Sequence, residues 1–320
     1  MHLENLLIKF DCLMAFWNRL KEILGLSGEN SEKKEPVGQA DLRGSGKDSA
    51  KESDSAVVGR EMELVRKVLL QMEKEEVKPF LRIEITDAPV SFLGSKVGGT
   101  PYLPSDASVP CDSEGNPLRL LAQIDCRELA ALPDFPHTGL LQFWIGQDDS
   151  NGLFDDEGHR VIWHETIDEQ VTEESVLAKL AVSPQSEDDY FPVGEAHSIS
   201  FKEDHEPRSF GDVRFNQIFT SKYNAISENP IEHIYDLSDD AYELIDESVK
   251  GGGHKIGGYP AFAQEDPREE EDERTVLLLQ LDSEEPYIMW GDCGLCGFFC
   301  SPEDLRRCDF SNVLYNWDCY

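Results

Sequence analysis

The stretch KVGGTP at residues 96–101 has a near copy, KIGGYP, at residues 255–260. Each copy is followed, in the same order, by three matching blocks, which are LLAQID (120–125), GLLQFWI (139–145) and RVIWHE (160–165) after the first copy, and LLLQLD (277–282), GLCGFFC (294–300) and NVLYNWD (312–318) after the second. Matched blocks in one order are typical of an internal duplication. The sequence therefore predicts a domain built from two related halves.

The matched blocks are short and apolar, and glycine or proline bounds several of them, which is typical of β-strands. We expect each Gly-Gly pair to form a corner where the backbone needs positive φ, and the proline after it to fix the exit direction. The glycines do not predict a phosphate-binding loop, because the second pair runs into an acidic loop rather than into a helix. The predicted fold class is α+β, with mostly antiparallel sheets and short helices.

Further elements are predicted outside the matched blocks. Strands are expected at PFLRIEITDAP (79–89), SISF (198–201) and DVRFNQIF (212–219). Helices are expected at REMELVRKVLLQMEKEE (60–76), within YDLSDDAYELIDESVKGGG (235–253) and from SPEDL (301–305). In the last of these, Ser301 suits an N-cap and Pro302 suits the first helical position.

The chain before the globular part has two compositions. Apolar residues from Leu3 to Leu24 recur at spacings of three and four, which predicts an amphipathic helix over residues 1–26. Residues 27–58 are rich in Ser, Gly, Lys and Glu, which predicts a disordered linker that tethers this helix. The domain is predicted at residues 59–320, with a first copy at about 79–166, an acidic insert at about 167–250 and a second copy at about 251–320.

The charge of the chain restricts its partners. The sequence has 29 basic and 64 acidic residues, a formal net charge of −35. Such a field repels nucleic acids and anionic membrane surfaces and favours a basic protein partner. Membrane contact is therefore not expected, except through the apolar face of residues 3–24, which suits a protein partner or self-association better. No cofactor is predicted, and the oligomeric state stays open.

The eight cysteines follow no recognisable secretory signal, which predicts reduced thiols in a cytoplasmic protein. Cys293, Cys296 and Cys300 have a C-x2-C-x3-C spacing that could supply three thiolates to zinc. Two features oppose a zinc site. No compact fourth ligand follows, and Cys296 and Cys300 align with ordinary strand residues of the first half.

The segments GGGHKIGGYPAFAQEDPR (251–268), LLLQLDS (277–283), WGDCGLCGFF (290–299) and DFSNV (309–313) resemble the YwqG-like family of uncharacterised bacterial proteins. The resemblance covers roughly residues 60–320 and is most specific in the second half. It implies a mixed α+β fold of two related β-rich halves in a bacterial cytoplasmic protein. It implies no activity, because the family has no established chemistry.

One set of polar residues in the second copy is a candidate binding cleft, and its members are His254, Lys255, Asp266, Arg268, Gln280, Asp282 and Asp292. Three of them have counterparts in the first copy, where Lys96, Gln123 and Asp125 match Lys255, Gln280 and Asp282, which suggests a scaffold role. The others, which are His254, Asp266, Arg268 and Asp292, have no clear counterpart and are the better functional candidates.

The sequence contains no nucleophile elbow, H-E-x-x-H or Walker pattern, so no catalytic residue is predicted. The function predicted first is a non-catalytic binding or interaction module. One concrete form is a toxin-neutralising or immunity-type protein, whose negative charge would complement a basic toxin. Two alternatives stay open: a hydrolase or transferase that uses His254, Asp266, Arg268 and Asp292, and a structural zinc protein that uses the clustered cysteines.

Overall fold

The computed structural model describes residues 47–181, 190–249 and 251–320. The chain divides into two units, Met1–Asp54 and Ser55–Tyr320, and the second unit holds the folded domain. The amphipathic helix predicted at residues 1–26 and the predicted linker up to residue 46 lie outside the described residues. Among those described, no helix has the length and apolar character needed to span a bilayer.

One antiparallel sheet of ten strands organises the domain. Its strands are β1 (Val77–Thr86), β2 (Lys96–Val97), β3 (Arg119–Asp125), β4 (Leu140–Ile145), β5 (His159–His164), β6 (His197–Pro207), β7 (Lys255–Gly257), β8 (Val276–Asp282), β9 (Leu295–Cys300) and β10 (Leu314–Asp318). Their order across the sheet is β10-β9-β8-β7-β1-β6-β2-β3-β4-β5. The coarse prediction of a β-rich, mostly antiparallel fold is confirmed.

The strand order has the same pattern on both sides of its centre. The long strands β1 and β6 pair in the middle, with β2 to β5 on one side and β7 to β10 on the other. The register shifts between Leu120 and Ala122 in β3, and between Leu277 and Leu279 in β8. Bulges of this kind bend a strand locally, so both halves bend at matching positions.

The corners predicted at the two Gly-Gly pairs are confirmed. Gly98 and Gly99 have φ of 64° and 76°, and Gly257 and Gly258 have φ of 77° and 73°. This left-handed region is accessible to glycine at low steric cost, whereas a side chain would be strained there. The repeated glycines therefore set the direction in which the chain leaves β2 and β7.

The sheet curls so that strands of its two halves face one another. The rings of Phe143 on β4 and Phe298 on β9 meet edge to face, with centroids 5.1 Å apart. His159 Nε2 on β5 lies 3.0 Å from the carbonyl of Val313, next to β10. These contacts join one apolar core that both halves supply.

The helices are α1 (Lys47–Glu75), α2 (Glu173–Leu180), α3 (Phe215–Asn224), α4 (Asp239–Ser248) and α5 (Pro302–Arg307). Val65, Val68 and Met72 recur at spacings of three and four on one face of α1, and they are buried in an apolar cluster of their own. Residues of α3 and α4 complete this cluster. The helix predicted from residue 60 thus begins at Lys47, within the stretch predicted as linker.

One predicted strand is wrong. Residues 212–219 were expected to be extended, but most of them belong to α3. The reason is a helical spacing: Phe215, Phe219 and Tyr223 stack on one face of α3 and are buried in the helical cluster. The helix start at residue 301 is confirmed, because Ser301 Oγ accepts a hydrogen bond from the N–H of Asp304 at 3.0 Å.

A buried glutamine on β8 holds the β7 corner in place. Gln280 Nε2 donates to the carbonyls of Gly251 and Gly253 at 3.2 and 2.8 Å, and Gln280 Oε1 accepts from the N–H of Ala261 at 2.8 Å. The side chain is fully buried. One amide therefore satisfies backbone groups on both sides of the corner.

A second buried glutamine does the same on β3. Gln123 Nε2 donates to the carbonyls of Phe92 and Gly94 at 2.9 and 3.1 Å, and Gln123 Oε1 accepts from the N–H of Tyr102 at 2.9 Å. We call each of these arrangements a glutamine clamp. The prediction that Gln280 is a binding residue stays untested, while its observed hydrogen bonds are all to the backbone of the corner.

Gln280→Ala is expected to lower the free energy of unfolding by about 1–3 kcal/mol, because backbone groups beside a buried site lose their partners. Gln123→Ala loses the same three kinds of bond, and we expect a loss of similar size. Urea unfolding followed by circular dichroism measures both. Gln71→Ala is the control, since this exposed side chain bonds Glu75 on the same helix. An equal loss in the control would contradict the role of the clamps.

Candidate functional site

His254 bridges β8 and the loop that follows it. Its Nδ1 accepts a hydrogen bond from the N–H of Asp282 at 2.9 Å, and its Nε2 lies 2.9 Å from Glu284 Oε2. Because Nδ1 accepts, Nε2 carries the proton and donates to the carboxylate. The ring is buried, so these two bonds fix its position.

Ser95 is the counterpart of His254 in the first half. Its Oγ accepts from the N–H of Asp125 at 2.9 Å and bonds the carboxylate of Glu128. The two side chains thus join the same pair of features, a strand-end N–H and a carboxylate just beyond it. His254 was expected to have no counterpart. Ser95 was not recognised as one because serine and histidine are dissimilar residue types.

Lys255 is buried in an ion pair. Its Nζ lies 2.7 and 2.8 Å from the two carboxylate oxygens of Glu206 on β6. Glu206 Oε1 also accepts from the N–H of Tyr259 at 2.7 Å. Burial lowers the pKa of Lys255, and the charge of Glu206 opposes this shift. A Cβ atom at Gly258 would collide with Glu206 Oε1, so the glycine corner admits this carboxylate.

Lys96 occupies the matching place in the first half, and no carboxylate of the described residues forms an ion pair with it. Its Nζ donates to the carbonyls of Phe92 and Ser91 at 2.7 and 3.2 Å. Burial lowers the pKa of Lys96 to about 8. The two halves therefore bury the same residue type and satisfy it in different ways.

Asp266 and Arg268 form a second polar group. Asp266 Oδ1 accepts from Arg268 Nε at 2.9 Å, and Asp266 Oδ2 accepts from Arg268 Nη2 at 2.6 Å. Both side chains are buried, and the guanidinium lies 4.4 Å from the ring centroid of Phe299. Arg268 Nη2 also lies 3.4 Å from Asp212 Oδ2. This geometry fixes the start of the loop that follows β7.

The predicted site residues therefore fall into three settings. His254, Lys255, Gln280 and Asp282 belong to the β7–β8 corner, where Asp282 Oδ2 accepts from the N–H of Gly253 at 2.8 Å. Asp266 and Arg268 lie in the loop between β7 and β8, and Asp292 is exposed in the turn before β9. The enzyme alternative needs His254, Asp266, Arg268 and Asp292 to converge, and this arrangement does not favour it.

The structure has a cleft at the β1–β6 end of the sheet that the sequence patterns did not predict. Its lining includes Lys78, Arg208, Arg214 and Arg268, which come from the start of β1, the β6–α3 connection and the loop before β8. Only Arg268 was a candidate. The weak sequence signal is a pair of arginines, Arg208 and Arg214, inside a segment predicted to be acidic.

The clustered cysteines differ in exposure. Cys293 is exposed, whereas Cys296 and Cys300 are buried in β9. Burial raises the pKa of the Cys296 thiol, and it raises the pKa of Cys300 to about 12. Buried neutral thiols behave as small apolar groups rather than as metal ligands. Within the part of the chain that the structure describes, no three His, Cys, Asp or Glu side chains are grouped as metal ligands.

A maleimide reagent is expected to label the exposed Cys111 and Cys293 in the folded protein, and Cys296 and Cys300 only after unfolding. The reason is that the reactive species is the thiolate, which burial disfavours. Mass spectrometry of peptides identifies the labelled sites. Protection of Cys293 together with Cys296, and release of zinc on labelling, would instead support the zinc alternative.

A family model described as a domain of unknown function (DUF1963) matches residues 95–319, which contain β2 to β10. No curated protein matches the chain at a significant level. The description of the family names no activity or ligand.

Proposed function

The chain belongs to DUF1963, a family of domains of unknown function, and we propose that this member is a non-catalytic binding module. The support for the proposal is that the predicted polar residues already have hydrogen-bond or ion-pair partners within the domain. His254, Gln280 and Asp282 bond backbone groups, and Lys255 and Arg268 are paired with buried carboxylates. Groups held in this way suit a rigid scaffold better than proton transfer to a substrate.

The YwqG-like resemblance and an internal duplication belong to the same proposal. Their support is the repeated geometry: paired bulges, paired glycine corners and paired glutamine clamps. Unrelated segments have no reason to share all three. The domain assignment, with a tethered helix at residues 1–26, a linker at 27–58 whose last residues from Lys47 belong to α1, and a duplicated domain at 59–320, is likewise proposed.

The proposed binding surface is the acidic loop, which we define as residues 265–274. Two arginines of the loop each bond the carboxylate two positions before them, an arrangement that we call a fork. Arg268 bonds Asp266 and Arg274 bonds Asp272, with Nη2 to Oδ2 distances of 2.6 Å in each. Between and beside the forks, glutamates at 269–271 and 273 are exposed. A fixed array of carboxylates loses little entropy on binding a cationic surface.

We assign a basic protein as the partner of the acidic loop, in keeping with the formal net charge of −35. Opposite charge speeds encounter between proteins, which suits the neutralisation of a basic toxin. A cytoplasmic location and a toxin-neutralising or immunity-type role are part of this proposal. The tethered helix would provide a second contact for the partner or for another copy of the chain.

Glu269→Gln, Glu270→Gln and Glu271→Gln together are expected to weaken binding of the partner recovered from the source cells. The matched control changes Glu63, Glu73 and Glu243 to Gln, which removes the same charge from exposed helical positions. Association rates measured at rising salt should fall for the native chain, because exposed charges are screened. Equal weakening in both triple variants, or binding that ignores salt, would end the proposal.

A further inference from the structure

A cleft of about 200 Å³ opens beside the acidic loop. Four cationic side chains line it, Lys78, Arg208, Arg214 and Arg268. A water molecule takes about 30 Å³ of liquid volume, so the cleft has room for a larger ligand. Cations gathered in one cleft are unusual in a chain of this net charge, and their contacts show which of them are already neutralised.

Arg214 does not form a fork with the carboxylate two positions before it. It follows Asp212 at the same spacing as in the two forks of the acidic loop, yet its guanidinium donates to two backbone carbonyls of that loop at 2.9 and 3.1 Å. Asp212 is instead engaged by Arg208 at 2.5 Å and by Arg268 at 3.4 Å. Arg214 therefore brings a charge into the cleft wall without a carboxylate to offset it.

Lys78 is the second such cation. Its Nζ donates to the carbonyl of Thr275 at 3.3 Å and lies 4.5 Å from the ring centroid of Tyr259. Among the described residues, neither Lys78 nor Arg214 forms an ion pair with a carboxylate. Two positive charges in the wall thus contact only carbonyls and an aromatic face.

Arg208 leaves a hydrogen-bond donor unused next to Lys78. Its guanidinium carbon lies 4.6 Å from the same Tyr259 ring, and its Nε is buried without a hydrogen-bond partner. A buried donor without an acceptor is costly, so such groups commonly bond water or a ligand. Arg208, which lines the cleft, therefore has one unsatisfied donor in addition to the uncompensated charge of Lys78 and Arg214.

We propose that this cleft binds the phosphate group of a small phosphorylated ligand. Two cations without carboxylate partners match the charge of a phosphate monoester, which is close to −2 near neutral pH. A single carboxylate would offset only one of them. The N-cap residue of α3 is Arg214, whose side chain forms no cap hydrogen bond, and helix N-termini favour anions.

The acidic groups of the cleft wall do not cancel this preference. Asp212 is shared by two arginines, and Asp272 is held by Arg274 with Oδ2 2.6 Å from Nη2. Glu269 is exposed, so water and salt screen its charge. The carboxylates that face the cleft closely are those already paired.

The state of Lys78 gives the cleft a pH dependence. The pKa of Lys78 is lowered to about 8, chiefly by burial; the charge of Asp212 opposes this shift, and the charges of Arg208, Arg268 and Arg214 add to it. A dianion beside Lys78 raises this pKa, so the ligand prefers the protonated form. Affinity for the dianion is therefore full below about pH 8 and falls as the pH rises through that value.

Isothermal titration of the full chain with inorganic phosphate tests the proposal. Lys78→Gln and Arg214→Gln are each expected to weaken phosphate binding about tenfold, the size of one charge-assisted bond. The matched controls are Lys67→Gln and Arg307→Gln, exposed cations on α1 and α5, which should leave the affinity unchanged. Thermal unfolding of each variant checks that it is folded.

A parallel titration with acetate at equal ionic strength measures the affinity for a monoanion, which should be weaker than the affinity for phosphate. Between about pH 8.5 and pH 10 inorganic phosphate stays almost fully dianionic, so a fall in affinity there reports Lys78 and should vanish in Lys78→Gln. No binding by the native chain, equal binding by all variants, or equal affinity for acetate would overturn the proposal. Lys78 bonds the carbonyl of Thr275, outside the acidic loop, whereas Arg214 bonds two carbonyls of the loop itself. Binding of a basic partner is therefore judged separately in Lys78→Gln, where the contacts of the acidic loop are unchanged.

Discussion

The pairing of β1 with β6 is the constraint on which the rest of the domain depends. It runs from Val77 opposite Pro207 to Thr86 opposite Ser198, and it separates the two halves within the sheet. β7 joins the free edge of β1, and β2 joins the free edge of β6. The same register sets Lys78 opposite Glu206, so the cleft and the buried ion pair lie at one end of this strand pair.

A lysine at each glycine corner creates one energetic problem with two solutions. Moving an ammonium group out of water is costly unless acceptors surround it. Lys255 meets the carboxylate of Glu206, whereas Lys96 meets backbone carbonyls. The difference arises because β6 ends beside the β7 corner, where Glu206 contacts both Lys255 and the N–H of Tyr259. The half that contains Lys255 is thus the one that adjoins the cleft.

Local patterns in the sequence predict much of this fold. Matched blocks, glycine corners and the Ser301 cap depend on neighbours in the chain, so they can be recognised without a structure. The helix at Phe215–Asn224 was missed because its aromatic residues fit both periods, and packing against α1 decides between them. The cleft was missed because Lys78, Arg208 and Arg268 are far apart in sequence and meet only through strand pairing.

The forks of the acidic loop connect residues only two positions apart. Arg268 and Arg274 find their carboxylates within the loop itself, so its shape depends little on the glutamates between them. Exposed positions of this kind tolerate exchange with small effects on stability. Relatives could replace these glutamates while keeping the forks. The loop is therefore a segment whose surface charge can change at little cost to folding.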